Sequence, residues 1–441
     1  MDSPQQPLKS RIVQGLLNRT DELVCLFNQG IVSVAGFATS VLIGRHAPSE
    51  LGVYFIGLSL VLFTRGFQQQ LVSTPYTIFF HRHSDKDVSG YRGSCLVQQF
   101  GFIVIALAYL VIQILATYAG WFSGDSANQT SEVMPSLIVL LFFLPAILMR
   151  ELVRHYCFTH SKNVSVMGID LAISVLQVVA LLGLGYWGFL SGATAWGAIG
   201  VATFVILVAW YVSRGPKIEF KRERLAEDWK LNWSFGKWAV AGQFVGSLPV
   251  YLLPWLLLLS AGSEGTGYFA ACMTLVGVAN IFNTGMLNFL TPRAAKVYVE
   301  QGAVGLKRLM VRMYGSFLVV VGCFTIFLGV FGSFLAVKLF GPNYAGLQSA
   351  MILLSIAKLF EGFSHTASGG LFAMEKIKAN FYVDVILMLA TITSAALLIY
   401  PYGVIGAAWT ALIGSVVGSG LRSGLLVKFL SEAISDGGKD V

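Results

Sequence analysis

Apolar runs of about 20 residues, long enough to cross a bilayer as helix, recur along almost the whole chain. They lie near 23–44, 51–80, 95–118, 133–153, 165–187 and 192–212, and again near 238–260, 266–292, 313–340, 346–373, 380–400 and 404–427. The pattern predicts about twelve transmembrane helices in an all-α integral membrane fold. Composition agrees, because only 12% of the 441 residues are charged against roughly 25% in soluble domains. No short cleavable apolar segment precedes the first long run, so no signal peptide is expected. Cys25, Cys95, Cys157, Cys272 and Cys323 form no CxxC pair, which points away from disulfides and zinc. No cofactor or metal is implied.

The connections between runs alternate in charge. Lys9, Arg11 and Arg19 precede the first run, and Arg82, Lys86 and Arg92 follow the second. Arg154 and Lys162, seven basic residues within 213–237, five within 293–312, and Lys376 with Lys378 continue the series. The intervening connections hold Arg45 and otherwise no Lys or Arg in 119–132, 188–191, 261–265 or 401–403. Such one-sided loops place both termini in the cytoplasm. The net charge of +8 follows from this bias, so nucleic acid is not expected as a partner. His81-Arg82-His83 reads as a solvated basic turn, not a metal site. The sequon Asn128-Gln129-Thr130 carries no expectation of glycosylation, since two further sequons fall on the cytoplasmic side.

The chain echoes itself at an offset of 214. Glu50, Tyr54 and Phe55 match Glu264, Tyr268 and Phe269; Asp170 matches Asp384; Gly192-Ala193 matches Gly406-Ala407. Glu151-x-x-x-His155 echoes Glu361-x-x-x-His365 at an offset of 210. Six spans per half give both halves one orientation, related by a pseudo-two-fold axis along the membrane normal. The expected organisation is a bundle at 1–212, a basic linker at 213–237 and a second bundle with a short tail at 238–441. In the linker Leu225, Trp229 and Trp233 fall four apart, which suits an interfacial helix; a plain basic loop anchored by tryptophans is the alternative.

Polar residues inside the spans mark candidate sites. An arginine at mid-helix costs about 2.5–3.5 kcal/mol on insertion scales, while a leucine returns about 0.3–0.6. Arg65 therefore needs a bundle interior or a wet cavity. Gln68 and Gln69 share its face. The matching helix of the second half carries Asn280, Asn283, Thr284 and Asn288 at i, i+3, i+4 and i+8. Lys358, Glu361 and His365 line one face of the tenth span, whose counterpart ends in Arg150, Glu151, Arg154 and His155. Interhelical hydrogen-bond glue is the alternative for the amides, and a structural ion pair for Lys358 and Glu361. Asp170 and Asp384 read as helix-terminus residues. No nucleophile elbow, P-loop, HExxH or paired carboxylates appear, so an enzyme is disfavoured.

The segments "GRHAPSELGVYFIGLSLV", "GTGYFAACMTLVGVANIFNTGMLNFLTPRAAKVY", "LFGPNYAGLQSAMILLS" and "YGVIGAAWTALIGS" carry a resemblance across nearly the whole chain. It resembles the polysaccharide-exporter branch of the multidrug/oligosaccharidyl-lipid/polysaccharide (MOP) exporter superfamily, and most of all O-antigen repeat-unit flippases. The resemblance implies a MATE-like, V-shaped pair of six-helix bundles around a typically cationic cavity. It implies movement of undecaprenyl-diphosphate-linked oligosaccharides across a bacterial cytoplasmic (inner) membrane. Implied partners are the lipid-linked glycan, membrane lipids and polysaccharide polymerase or assembly proteins. Arg65, Gln68, Gln69, Asn280, Asn283, Asn288 and Lys358 become cavity candidates, and Glu361 with His365 candidates for ion coupling. The peptidoglycan-precursor branch usually has two further spans, which are not found. The drug-exporting branch often has an acid deep in its first span; here Asp21 and Glu22 sit at the edge. Two alternatives stay open: a cation-coupled multidrug or small-molecule exporter, and a non-transporting scaffold for polysaccharide assembly.

The topology is directly measurable. Reporter fusions after residue 125 should read as outside and fusions near residue 225 as inside; the reverse would overturn the span count.

Overall fold

A computed structural model of the chain describes residues 8–80, 88–120 and 128–437; His81-Arg82-His83 lies outside the described residues. Twelve long helices account for nearly all of the described residues. In the first half they are α1 (Leu8–His46), α2 (Pro48–Phe79), α3 (Val88–Tyr118), α4 (Asn128–Thr159), α5 (Asn163–Tyr186) and α6 (Gly192–Arg214). In the second half three helical runs, Arg222–Val276, Ala279–Phe340 and Ile377–Gly437, are each broken at a glycine. Gly262, Gly302 and Gly403 have φ of 71°, 64° and 52°, a left-handed backbone that a side chain disfavours. The breaks define α7 (222–261), α8 (263–301, with a turn at Gly277–Val278), α9 (303–340), α11 (377–402) and α12 (404–437), with α10 at Gln348–Ala373.

Large apolar side chains such as Phe142, Val179, Phe204 and Ile326 are largely exposed, whereas Leu137, Leu144 and Ile173 are fully buried. A helix facing hydrocarbon wants this arrangement, because lipid is as apolar as the core and the backbone bonds are satisfied within each helix. α2 is locally widened to a π-turn at Gln69–Ser73, directly before Pro75. Proline lacks the N–H that would bond the preceding turn, and the wider turn absorbs that gap.

Within the first half, α1 packs on α5, and α4 packs on α2, α3 and α6; within the second, α10 packs on α9 and on the α11–α12 run. The halves meet along α2 and α7. Gly236 approaches Gln70 and Leu71, Gly66 approaches Gln243, and Trp255 Nε1 donates to Ser59 Oγ at 3.2 Å. Phe63 and Phe67 set their rings edge-on to Tyr251 and Phe244 at 5.9 and 6.4 Å. The stretch 222–237 is helical and continuous with α7.

A second set of contacts closes the end carrying the loops poor in Lys and Arg, hereafter the bare face. Arg45 donates to the carbonyls of Leu339 (2.7 Å) and Lys338 (2.9 Å), capping the end of α9 from the other half. Tyr344 Oη donates to Gly44 O at 3.1 Å, and Ser263 Oγ donates to the Glu132 carboxylate. Here α2 and α8 touch backbone to backbone. A Cβ on Gly267 would stand 1.8 Å from the Pro48 carbonyl oxygen, and one on Gly52 1.9 Å from that of Ser263.

Because the obstructing atoms are backbone, they cannot rotate away. Gly267→Ala should destabilise by about 1–3 kcal/mol through overpacking, read as a lowered melting temperature in detergent. Gly242→Ala, where a Cβ meets nothing within 4 Å, should leave it unchanged. Equal melting temperatures for the two variants would remove the close α2–α8 contact.

Candidate functional site

Between the halves lies a cavity of about 1090 Å³. Its walls are mostly apolar, with Phe37 on α1, Phe55 on α2, Val250 on α7 and Phe269 on α8. Polar groups come from Gln29, Ser33 and Ser40 on α1, Asn280 on α8, Lys358, Glu361, Ser364 and His365 on α10, Asp384 on α11 and Arg422 on α12. All the charged lining therefore comes from the second half.

Two ion pairs organise that charge. Lys358, Glu361 and His365 recur at helical spacing on one face of α10. Lys358 Nζ lies 2.7 Å from Glu361 Oε2, and His365 Nε2 lies 3.6 Å from Glu361 Oε1. Arg422 pairs with Asp384 and also donates to Ser364 Oγ, tying α12 to α11 and α10. Glu361 and Asp384 keep 35% and 29% of their side-chain surface exposed, so an entering molecule can reach both carboxylates. The cavity thus presents two cations, each balanced by a carboxylate.

The first half also concentrates charge, but seals it. Arg65 Nη2 lies 3.1 Å from Glu151 Oε2, and Arg154 Nη1 lies 3.3 Å from Glu151 Oε1. Arg154 Nε stands 3.1 Å from Asp170 Oδ2, and Arg150 Nη2 stands 2.6 Å from Asp170 Oδ1. Asn28 Nδ2 on α1 donates to Asp170 Oδ2 at 2.9 Å. Three guanidiniums and two carboxylates from α2, α4 and α5 form one chain, and only Arg65 at its end is substantially exposed, at 37%. Asp170 binds both guanidiniums from within α5, beyond its helix-terminus position.

Of the residues singled out in sequence, Asn280, Lys358, Glu361 and His365 share the cavity. The others do not join them there. Arg65 turns to Glu151. Gln68 is fully buried, donating to Gln99 Oε1 (3.0 Å) and the Leu148 carbonyl (3.1 Å). Gln69 is exposed within the π-turn. Asn283 is buried with neither side-chain polar atom hydrogen-bonded. The Asn288 and Thr284 side chains lie outside those described. Arg422 was missed by sequence reasoning. A signal existed: it is a lone cation inside the apolar run "VVGSGLRSGLLV" and carries the same insertion cost as Arg65. Among the described residues, no cluster of three or more His, Cys, Asp or Glu could hold a metal.

The two charge clusters should respond differently to mutation. Asp170→Asn strands two buried guanidiniums, and breaking a buried pair costs about 3–5 kcal/mol. The variant should be depleted from the membrane, whereas Lys358→Ala, at the edge of a wet cavity, should accumulate normally. Immunoblots of membrane fractions with equal amounts of both variants would remove the structural role of Asp170.

No protein-family model matches this chain. One curated relative is the capsular polysaccharide biosynthesis protein CapF of Staphylococcus aureus, 23% identical over 220 residues. That alignment takes in 49% of this chain, and the chain spans about half (55%) of the relative's length. Solved structures match far more completely. An inward-facing multidrug resistance MATE transporter of the MOP superfamily has a TM-score of 0.77 at 14% identity, covering 92% of this chain and 96% of its own. The lipid II flippase MurJ in an inward closed conformation scores 0.73 at 14% identity, covering 92% and 87%. A MOP superfamily transporter from Pyrococcus furiosus, described as having a binding pocket of reverse polarity, scores 0.65 at 14% identity, covering 93% and 94%. The chain therefore has the all-α, multi-pass MATE-type fold of the MOP superfamily transporters.

Proposed function

We propose that this chain is an alternating-access exporter whose cavity opens toward the basic face, and that its substrate is an amphipathic anion. The observation that carries the reading is the pair of carboxylate-matched cations, Lys358 and Arg422, set in an otherwise apolar wall. The closed bare face supports the conformational part. So does the comparison with MATE structures, where the inward-facing form scores 0.77 and an outward-facing one 0.62. A cavity of this size also favours transport over a purely scaffolding role.

For the substrate, the reading is an oligosaccharide linked through a diphosphate to a lipid, in a bacterial inner membrane with both termini cytoplasmic. The relation to a capsular polysaccharide protein supports it. An incoming diphosphate replaces a carboxylate on Lys358 and Arg422 with charge-assisted hydrogen bonds. Gln29, Ser33 and Asn280 are placed to meet sugar hydroxyls, and apolar walls flank the lipid-proximal end. Arg65 contributes by holding α2 against α4. A dianion leaving a negative cytoplasm gains about 2.3 kcal/mol per charge per 100 mV. Membrane lipids and polysaccharide polymerase or assembly proteins are the partners this reading implies.

A second reading has specific support of its own. Solved structures of this fold include multidrug transporters, and Glu361 stands between Lys358 and His365 in reach of solvent. Those observations suit a cation-coupled small-molecule exporter, and the solved structures weigh more toward it than toward the glycan.

Transport in reconstituted vesicles separates the two. On the glycan reading, Lys358→Ala and Arg422→Ala each lose most translocation of a lipid-linked oligosaccharide at normal membrane levels and leave efflux of a neutral dye unchanged. Normal glycan movement in the double variant would overturn that reading. If instead a proton gradient drives dye efflux and Glu361→Gln removes the dependence, the small-molecule reading stands.

A further inference from the structure

The first turns of α7, 222–238, sit outside the chemistry of the cavity and have two unlike faces. One face is locked to the protein. Asp228, Asn232 and Gly236 are buried along it. Tyr91 Oη donates to Asn232 Oδ1 at 2.9 Å, and Asn232 Nδ2 donates to Gln98 Oε1 at 2.8 Å. These bonds fix the rotation of the helix, so the rest of its circumference is held outward. On it Trp229 and Trp233 stack with ring centroids 6.1 Å apart and planes 7° from parallel, and they remain 48% and 45% exposed. Arg222, Lys230 and Lys237 are exposed beside them, and Trp238, at 76% exposure, carries the Lys237 ammonium 5.8 Å from its ring centroid.

We infer that this stripe is a binding site for the headgroup of an anionic phospholipid. The tryptophan pair supplies amphipathic rings of the kind that settle at headgroup depth. Lys230 and Lys237 supply compact cations for a phosphodiester. The surrounding segment 214–237 holds seven basic residues against four acidic ones, Glu219, Glu223, Glu227 and Asp228, and Asp228 is buried on the other face. Its net positive charge matches an anionic leaflet, and juxtamembrane basic clusters attract such lipids in proportion to their Lys and Arg count. The helix then runs unbroken into the bilayer, where the apolar run begins at Trp238. A headgroup held here anchors the same helix whose later turns, at Tyr251 and Pro254, line the cavity.

The test uses the full-length protein in nanodiscs of phosphatidylcholine mixed with phosphatidylglycerol, one of the two lipids brominated in each sample. The quenching due to Trp229 and Trp233 is isolated by subtracting a Trp229→Phe/Trp233→Phe variant. Brominated phosphatidylglycerol should quench that signal several-fold more than brominated phosphatidylcholine. The preference should fall as salt rises, and should disappear in Lys230→Gln/Lys237→Gln at an unchanged melting temperature. Equal quenching by the two lipids would mean a generic aromatic anchor and would overturn the site. Quenching by neither would place the pair against protein instead of lipid and would overturn it equally. A preference that survives in the double lysine variant would also overturn it, because the cations would then play no part.

Discussion

Asp170 is a carboxylate with no exposed surface, held in a helix that crosses hydrocarbon. Taking a carboxylate out of water costs several kcal/mol even after relaxation, and only close, well-formed partners offset that. Here two guanidiniums from α4 and one amide from α1 supply them. Arg154 then passes the pairing on to Glu151, and Glu151 to Arg65 on α2. Four helices of the first half are thereby tied by groups that cannot separate without stranding a charge. That requirement holds α1, α2, α4 and α5 together more selectively than apolar packing does, since hydrocarbon outside the bundle competes equally for every leucine.

The carboxylates that the sequence echo pairs with Asp170 and Glu151 are held differently. The cations of Asp384 and Glu361 arrive from other places: Arg422 on α12, and Lys358 one turn earlier on α10 itself. The consequence is exposure. Asp170 and Glu151 show 0% and 9% of their side-chain surface, Asp384 and Glu361 29% and 35%. One half has two carboxylates immobilised by three arginines; the other has two carboxylates beside a cavity, Asp384 paired with Arg422 and Glu361 set between Lys358 and His365. The second set is the more open to solvent, and the first is sealed among its helices.

Spans were legible because each apolar run must match the bilayer in length, and a helix in lipid has no alternative backbone conformation. The glycine breaks at 262, 302 and 403 fall between the expected spans for the same reason. The site was less legible. Periodicity places Gln68 and Arg65 on one face of α2 but says nothing of what that face meets. Glu151 lies far along the chain from Arg65, and Gln99 from Gln68. The intrahelical set Lys358, Glu361 and His365 could be read directly because its partners are one turn apart. Arg422 and Asp384 sit on different helices, and pairing them needed the fold.

On the proposed alternating-access reading, the closure of the bare face is the gate that must part. Among the described residues its directional bonds are two from Arg45, one from Tyr344 and one to Glu132, beside a glycine contact and the apolar packing of Phe340 and Tyr344. Neutral hydrogen bonds contribute about 0.5–1.5 kcal/mol net and those to charged groups about 1.5–3. Inverting a 1:99 population to 99:1 takes about 5.5 kcal/mol of differential binding. The directional bonds of the closure are therefore of the same order as the differential binding that such an inversion requires. The α2–α7 seam is different in kind: it runs from Ser59 and Trp255 to Gln70 and Gly236 and is packed by aromatic rings and glycines. Motion that opened both would have to strip that seam to lipid. On the proposed reading, motion that keeps it as an axis parts the contacts of the bare face, and the Arg45 guanidinium, exposed at the end of α9, can exchange its carbonyls for water as they do.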